Sequence, residues 1–258
     1  MRITFLGTGT SHGVPMIGCE CATCRSTDPH DNRLRPSIFL ETSSARVLVD
    51  AGPDLREQAL RHRIARVDAI VFTHGHADHI LGMDDVRRFN ALMDGSMPCY
   101  GDAATLEDIR RMFSYVFDPA TPKGGGLPQL DLRVIDGPFS VGDIHLQPVP
   151  IWHGRRRILG FRVGGFAYLT DCSRIDEAAW PLLERLEVLV LDALREKPHP
   201  THFSLSDAIE TAARIGAART FFTHMAHDLP HEATNARLPD GMRLAHDGLV
   251  LSMPNAEC

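Results

Sequence analysis

The chain has no run approaching the roughly 18 consecutive apolar residues that a membrane-spanning helix needs, so no membrane segment is expected. Its opening stretch, MRITFLGTGTSHGVP, lacks the long apolar core of an export signal and alternates as a strand does. A cytoplasmic location is therefore expected, where thiols stay reduced. No internal repeat or low-complexity block interrupts the 258 residues, and one domain over 1–258 is the simplest organisation. Basic excess is lacking too: 27 Lys and Arg stand against 33 Asp and Glu, a formal charge of −6. A protein that grips nucleic acid through a broad positive face needs the opposite balance. The composition argues for a small-molecule substrate and against nucleic acid, and it is compatible with a homodimer. One Gly/Pro-rich patch, 118–130, reads as a loop, either a mobile flap or a surface insertion.

What is present is a mixture of short apolar strands and helices. RITFL, ARVLVD at 45–50 and VDAIVF at 67–72 read as strands. Helices are expected from Pro53, where proline suits a first turn, and from about Asp78 to Met93. Ser204 and Asp207 form a capping-box pattern for a helix ending near Gly216. Turns are signalled at Asp136-Gly137 and Gly142-Asp143, and a last hairpin at Asp247-Gly248. Strands and helices in long succession predict a layered α/β fold.

Several strands end in a residue able to bind metal: Asp50, His74, His153, Asp171, Asp192 and His224. Asp and His also end strands simply as turn residues. Six in one chain favour a shared edge on which the side chains converge. The densest segment is THGHADHILG at 73–82. His74 and His76 are two apart, so an extended segment points both the same way. Asp78 and His79 follow where the chain turns into a helix, which aims them at a neighbouring point. Three histidines and an aspartate in six positions mark a metal site.

HGHADH resembles the HxHxDH signature of the metallo-β-lactamase superfamily. His153 in PIWHG, Asp171 in YLTDCS and His224 in FFTHMAHD follow in the order that family uses. The resemblance implies an αββα sandwich, two mixed β-sheets flanked by helices, with a two-metal site at one edge. It implies His74, His76 and His153 on one ion, Asp78, His79 and His224 on the other, and Asp171 bridging both. Imidazoles with carboxylates suit zinc, manganese or iron better than magnesium or calcium. Two such cations can activate water and neutralise developing charge. Asp50 is read as holding a ligand imidazole by its other nitrogen.

Finer features resemble one branch of that superfamily. They are GTGTSHGVP at 7–15, DAGPDLREQ at 50–58, LDALRE at 191–196, HPTHFS at 199–204 and THMAHDL at 223–229. The branch includes phosphoribosyl 1,2-cyclic phosphate phosphodiesterases and is related to tRNA 3′-processing endonucleases, which share the opening FLGTG. The resemblance implies a metal-dependent phosphodiesterase, with a cyclic ribose phosphate as the leading substrate. A tRNA-processing endonuclease would need a basic arm, which is not evident here. A thioesterase of the same fold is a second alternative. A non-catalytic metal-binding protein is a third, and would be supported by a missing ligand; none is missing. Asp78 and His202 are the expected catalytic residues, His202 facing the substrate phosphate, with His199 as its competitor. Arg155, Arg156 and Arg157 either touch phosphate or form a solvated turn. Ser11 and His12 lie in a Gly-rich loop after the first strand, which would approach the site.

GCECATCR at 18–25 carries Cys19, Cys21 and Cys24. In a reducing compartment such a cluster favours metal over disulfide. With seven ligands at the catalytic centre and no cysteine among them, the trio needs a fourth partner of its own. THMAHDL offers His227, three residues beyond His224. The resemblance implies a separate zinc on three cysteines and a histidine, a closed structural site. Cys99, Cys172 and Cys258 have no assigned role, Cys172 reading as a small buried thiol.

Overall fold

The computed structural model describes residues 1–122, 124 and 126–254. Lys123 and Gly125 of the expected 118–130 loop, and Cys258, lie outside the described residues. Two mixed sheets form the body. One runs, in spatial order, Val250–Ser252, Arg2–Gly7, Ser37–Glu41, Arg46–Val49, Ala69–Val71, Met97–Gly101 and Leu130–Val134. The other runs Arg174–Ile175, Ile144–His153, Arg156–Val163, Phe166–Leu169, Val188–Asp192, Arg219–Thr223 and Met242–Leu244. Phe139–Val141 pairs with Ile144–His153 as a hairpin.

The layering follows from strands buried on both faces. In Val188–Asp192, Val188 and Val190 face the other sheet and pack in one core with Phe5, Val49 and Tyr168. Leu189 and Leu191 face outward and pack with Leu205, Ala208 and Ala212 of the helix Leu205–Ile215. Period-two side chains thus serve two cores, which is why VLVL shows no polar alternation. On the opposite side Leu48, Ile70 and Phe72 meet Leu55, Val86, Phe89 and Leu106, from the helices Leu55–Arg61, Val86–Met93 and Ala103–Met112. The order is helix, sheet, sheet, helix: the αββα sandwich. No helix among the described residues is long and apolar enough to cross a membrane.

Three local expectations need correction. The first helix is Leu55–Arg61, not a helix from Pro53. Its N-cap Asp54 leaves the helix uncapped and instead binds Arg35, accepting from its backbone N–H at 2.8 Å and its guanidinium at 3.1 Å. The stretch expected as helix from Asp78 to Met93 breaks into Ala77–Ile80, a 3₁₀ turn at Leu81–Asp85, and Val86–Met93. Gly82 sits at the break. Its N–H donates to Ala51 O at 2.8 Å, and a Cβ there would collide with the Gly52 carbonyl. Asp247-Gly248 is a turn but not a hairpin, because Met242–Leu244 and Val250–Ser252 belong to different sheets. The Asp247 carboxylate accepts the Thr8 hydroxyl and the Leu34 N–H, both at 2.8 Å, and so fixes the crossover. The helix Leu205–Ile215 has the expected capping box and ends at Gly216, φ +70°.

Gly52 offers a test of this packing. A Cβ there would collide with the Asp78 carbonyl oxygen. Gly52→Ala is expected to cost about 1–3 kcal/mol in urea unfolding, the scale of core overpacking. It should also weaken metal retention, since Asp78 must move.

Candidate metal centre

The sandwich brings the ends of strands from both sheets to one edge. Asp50 and His74 follow strands of the first sheet. His153, Asp171, Asp192 and His224 end or follow strands of the second. Asp50, Asp171 and His224 adopt left-handed backbone, φ 63°, 56° and 60°. That conformation is uncommon outside glycine and re-aims a side chain just past its strand. Gly75, between His74 and His76, is glycine for a packing reason. A Cβ there would lie 2.5 Å from the Asp108 carboxylate, which Arg156 holds at 2.9 Å. Arg156 therefore braces the HGH loop, and Arg157 pairs with Asp176 at 3.4 Å.

The seven strand-end and loop residues form two donor groups. The donor atoms of His74, His76 and His153 lie within 4.8 Å of one another, and so do those of Asp78, His79, Asp171 and His224. Asp171 reaches toward both. Its Oδ1 is 3.1 Å from His224 Nε2 and 3.9 Å from His74 Nε2, and its Oδ2 is 3.2 Å from His79 Nε2. Asp78 Oδ2 is 3.4 Å from His79 Nε2 and 3.6 Å from His224 Nε2. Despite these approaches, the buried Nε2 atoms of His74, His79 and His224 make no hydrogen bond. Buried polar atoms are costly when unpaired. Several that converge without bonding one another fit a cation between them, and imidazole with carboxylate suits a borderline divalent ion.

Behind the donors stands a set of orienting contacts. Asp50 Oδ2 lies 2.8 Å from His79 Nδ1, and the carboxylate also accepts the Thr73 N–H and hydroxyl, each at 2.8 Å. His153 Nδ1 lies 2.8 Å from the Thr201 carbonyl, to which it can donate. Each contact holds Nδ1 and leaves Nε2 for a ligand. Asp192 Oδ1 is 3.1 Å from His202 Nδ1 and 3.5 Å from His224 Nδ1, while Oδ2 accepts the Phe203 N–H at 3.0 Å.

The electrostatics follow from this crowding. Burial opposes ionisation of Asp78 and Asp171, but the neighbouring imidazoles prevail and hold both carboxyls well below the usual range. Burial would likewise lower His224, yet Asp171, Asp78 and Asp192 hold it up at about 9, so a cation at its Nε2 has to displace a proton there. His202 goes the other way. Burial, and then the charge of His224, pushes it down to about 4. Its ring stacks on His224 at 4.7 Å and meets His153 edge-on at 4.6 Å.

Two contributors escaped the sequence reading. Asp192 was visible only as a strand end, and its place behind both His202 and His224 needs the fold. Thr201 acts through a backbone carbonyl, which no residue type announces. A cavity of about 260 Å³ opens beside His202, lined also by Thr10, Ser11, His12, Arg195 and His199. The Gly-rich loop after the first strand thus does reach the site. His199 borders the same cavity but has Thr201, not Asp192, against its Nδ1.

Cys19, Cys21 and Cys24 come together with His227. Their Sγ atoms lie 3.2, 3.6 and 3.4 Å from His227 Nδ1. A tetrahedral zinc at ordinary Zn–S and Zn–N lengths sets a sulfur–nitrogen edge of roughly 3.6 Å, so the set fits that ion. His224 and His227 serve different clusters, and His227 forms part of the cavity wall.

Residues 45–225 match the β-lactamase superfamily domain. A crystal structure described as a new diphosphatase from the PhnP family superposes with a TM-score of 0.92 at 46% identity, covering 99% of this chain and 98% of that one. An octanoyltransferase from Porphyromonas gingivalis is 38% identical over 252 residues, 96% of this chain but 51% of its own length. The chain thus spans about half of that relative. A ribonuclease Z from Bradyrhizobium diazoefficiens is 30% identical over 116 residues, 43% of this chain and 33% of that protein.

Proposed function

This chain belongs to the metallo-β-lactamase superfamily of hydrolases, and on that premise we propose that it is a dinuclear metal-dependent phosphodiesterase. The observation that carries the reading is Asp171, set between two donor groups in which the Nε2 atoms of His74, His79 and His224 converge without hydrogen bonding. His74, His76 and His153 would hold one ion and Asp78, His79 and His224 the other, with Asp171 a donor within reach of both groups. Zinc or manganese there would lower the pKa of a nearby water and neutralise charge on a phosphoryl group. Cys19, Cys21, Cys24 and His227 would hold a separate structural zinc.

The chain's own residues supply the rest. Asp50, Thr73 and the Thr201 carbonyl fix the ring orientations of the ligands. Asp192 holds His202 by Nδ1 and leaves Nε2 for the substrate. An anionic phosphate there would raise the imidazole from the low value set by burial and His224, favouring the protonated form that can donate to a phosphate or leaving oxygen. The cavity beside it suits a small substrate, and a net charge of −6 disfavours a broad phosphate grip. A cyclic ribose phosphate is the leading substrate. The diphosphatase relative makes a diphosphate ester the natural comparison.

Octanoyl transfer is not carried over, since half of that relative has no counterpart here. The thiol next to Asp171 in sequence, Cys172, is also fully buried, and burial pushes its pKa well up, which does not suit a nucleophile.

The reading is tested on apo protein given back manganese or zinc. Turnover of a ribose cyclic phosphate should return with metal, reaching a plateau at two ions beyond the structural one. Turnover that persists in fully chelated protein would refute it. His202→Gln is expected to lower kcat by about 10²–10⁴-fold with metal content unchanged, the range of general acid catalysis. The loss should shrink on p-nitrophenyl esters, whose leaving group needs no proton. An equal loss on both would make His202 a phosphate-binding residue instead.

A further inference from the structure

A second set of imidazoles lies outside both clusters. The donor atoms of His30, His231 and Glu232 fall within 4.8 Å of one another. His246 closes the group: its ring centroid is 4.4 Å from that of His30 and 5.8 Å from that of His231. His30 and His231 stack at 4.7 Å. These residues come from three segments that meet only in the fold: the 3₁₀ turn Pro29–Asp31, the short helix His231–Asn235 and the turn after Met242–Leu244.

We propose that His30, His231 and His246, with Glu232, form a further binding site for a divalent transition-metal ion. Three observations carry this. Three neutral-capable imidazoles and one carboxylate make a donor set that prefers zinc, nickel, cobalt or copper over magnesium or calcium. His231 is 7% exposed and its Nδ1 is a buried atom with no hydrogen-bond partner, the kind of orphan a ligand satisfies. Two other rings are held as metal-binding histidines usually are. His30 Nδ1 lies 2.9 Å from the Asp28 carboxylate, and His246 Nδ1 lies 3.1 Å from the Asp247 carbonyl, so Nε2 is left on each.

The surroundings give the ion a mechanical role. Asp31 accepts the His231 N–H at 2.8 Å, and Arg33 donates to the Ala226 carbonyl at 2.9 Å and to the Leu229 carbonyl. The segments 28–33 and 226–232 are therefore already docked, and each continues toward one half of the cysteine–histidine cluster, Cys24 on one and His227 on the other. An ion on the imidazole group ties the same two segments a second time. Imidazoles and one carboxylate hold zinc less tightly than three thiolates, so this ion would exchange while the cysteine-bound one stays.

The test uses protein with its other metal sites filled, titrated with Zn²⁺ and separately with Ni²⁺. Wild type should take up one ion more per chain than His30→Ala, His246→Ala or His231→Ala, and its melting temperature should rise with added metal. The variants should melt at the same temperature with or without it. His30 and His246 are partly exposed, so their variants remain interpretable if the buried His231→Ala misfolds. Equal uptake by wild type and the His30→Ala and His246→Ala proteins, or no uptake by wild type, overturns the proposal. Phosphodiester turnover is not the readout, so the result stands apart from the catalytic assignment.

Discussion

Asp78→Ala should fold normally and lose about 10³-fold or more in kcat/KM toward bis(p-nitrophenyl) phosphate, a loss on the scale of removing a preorganised charge-stabilising group. The residue sits in the first turn of Ala77–Ile80, and its carboxylate lies within 3.4–3.6 Å of His79 and His224 Nε2. Removing it leaves those Nε2 atoms with Asp171 as their remaining carboxylate and takes one anionic donor from the second group. Metal analysis should show the centre dropping from two ions toward one, with the cysteine-bound zinc retained. The side chain contributes little to the core, so the circular dichroism spectrum should not change. Activity within tenfold of wild type, at full metal loading, would remove Asp78 from the centre.

The second large effect concerns stability. Cys21 is exposed, so truncating it costs little packing, yet its thiol is one of the three around His227. Cys21→Ala is expected to lose one zinc per chain and to cost roughly 2–5 kcal/mol in denaturant unfolding, the scale of losing a native cross-link. The two catalytic ions should stay. Activity should fall only modestly, because His227 borders the cavity through its position in the wall and holds no catalytic ion. A fully active Cys21→Ala protein with unchanged zinc content would contradict this account.

Much of the centre is legible in the chain because it is built at strand ends. A buried strand of period two must stop where its apolar run stops, and the next residue lies at the sheet edge. VFT-His74, AYLT-Asp171 and FFT-His224 are legible for that reason. The pairing of sheets is less so: His74 and Asp171 come from opposite sheets, brought face to face by the inter-sheet core of Phe5, Val49, Tyr168 and Val190 and by the Leu159 N–H donating to the Thr73 carbonyl. The break in the helix after Asp78 is hidden because Gly82 answers to a carbonyl thirty residues away in sequence, not to local propensity. Asp247-Gly248 has the composition of a hairpin turn, but its strands choose different sheets through the buried contacts of Asp247 with Thr8 and Leu34. The His30–His231–His246 group shows no spacing pattern at all, since its members are spread over three segments.

The central claim, that this edge hydrolyses phosphodiesters, is tested most directly by substrate choice. Purified protein loaded with manganese or zinc should be given a ribose cyclic phosphate, bis(p-nitrophenyl) phosphate, a diphosphate ester and a glutathione thioester side by side. The account predicts metal-dependent turnover of the phosphodiesters, with the cyclic phosphate the best of them by kcat/KM and the thioester untouched. Turnover of the thioester with none of any phosphodiester would contradict it.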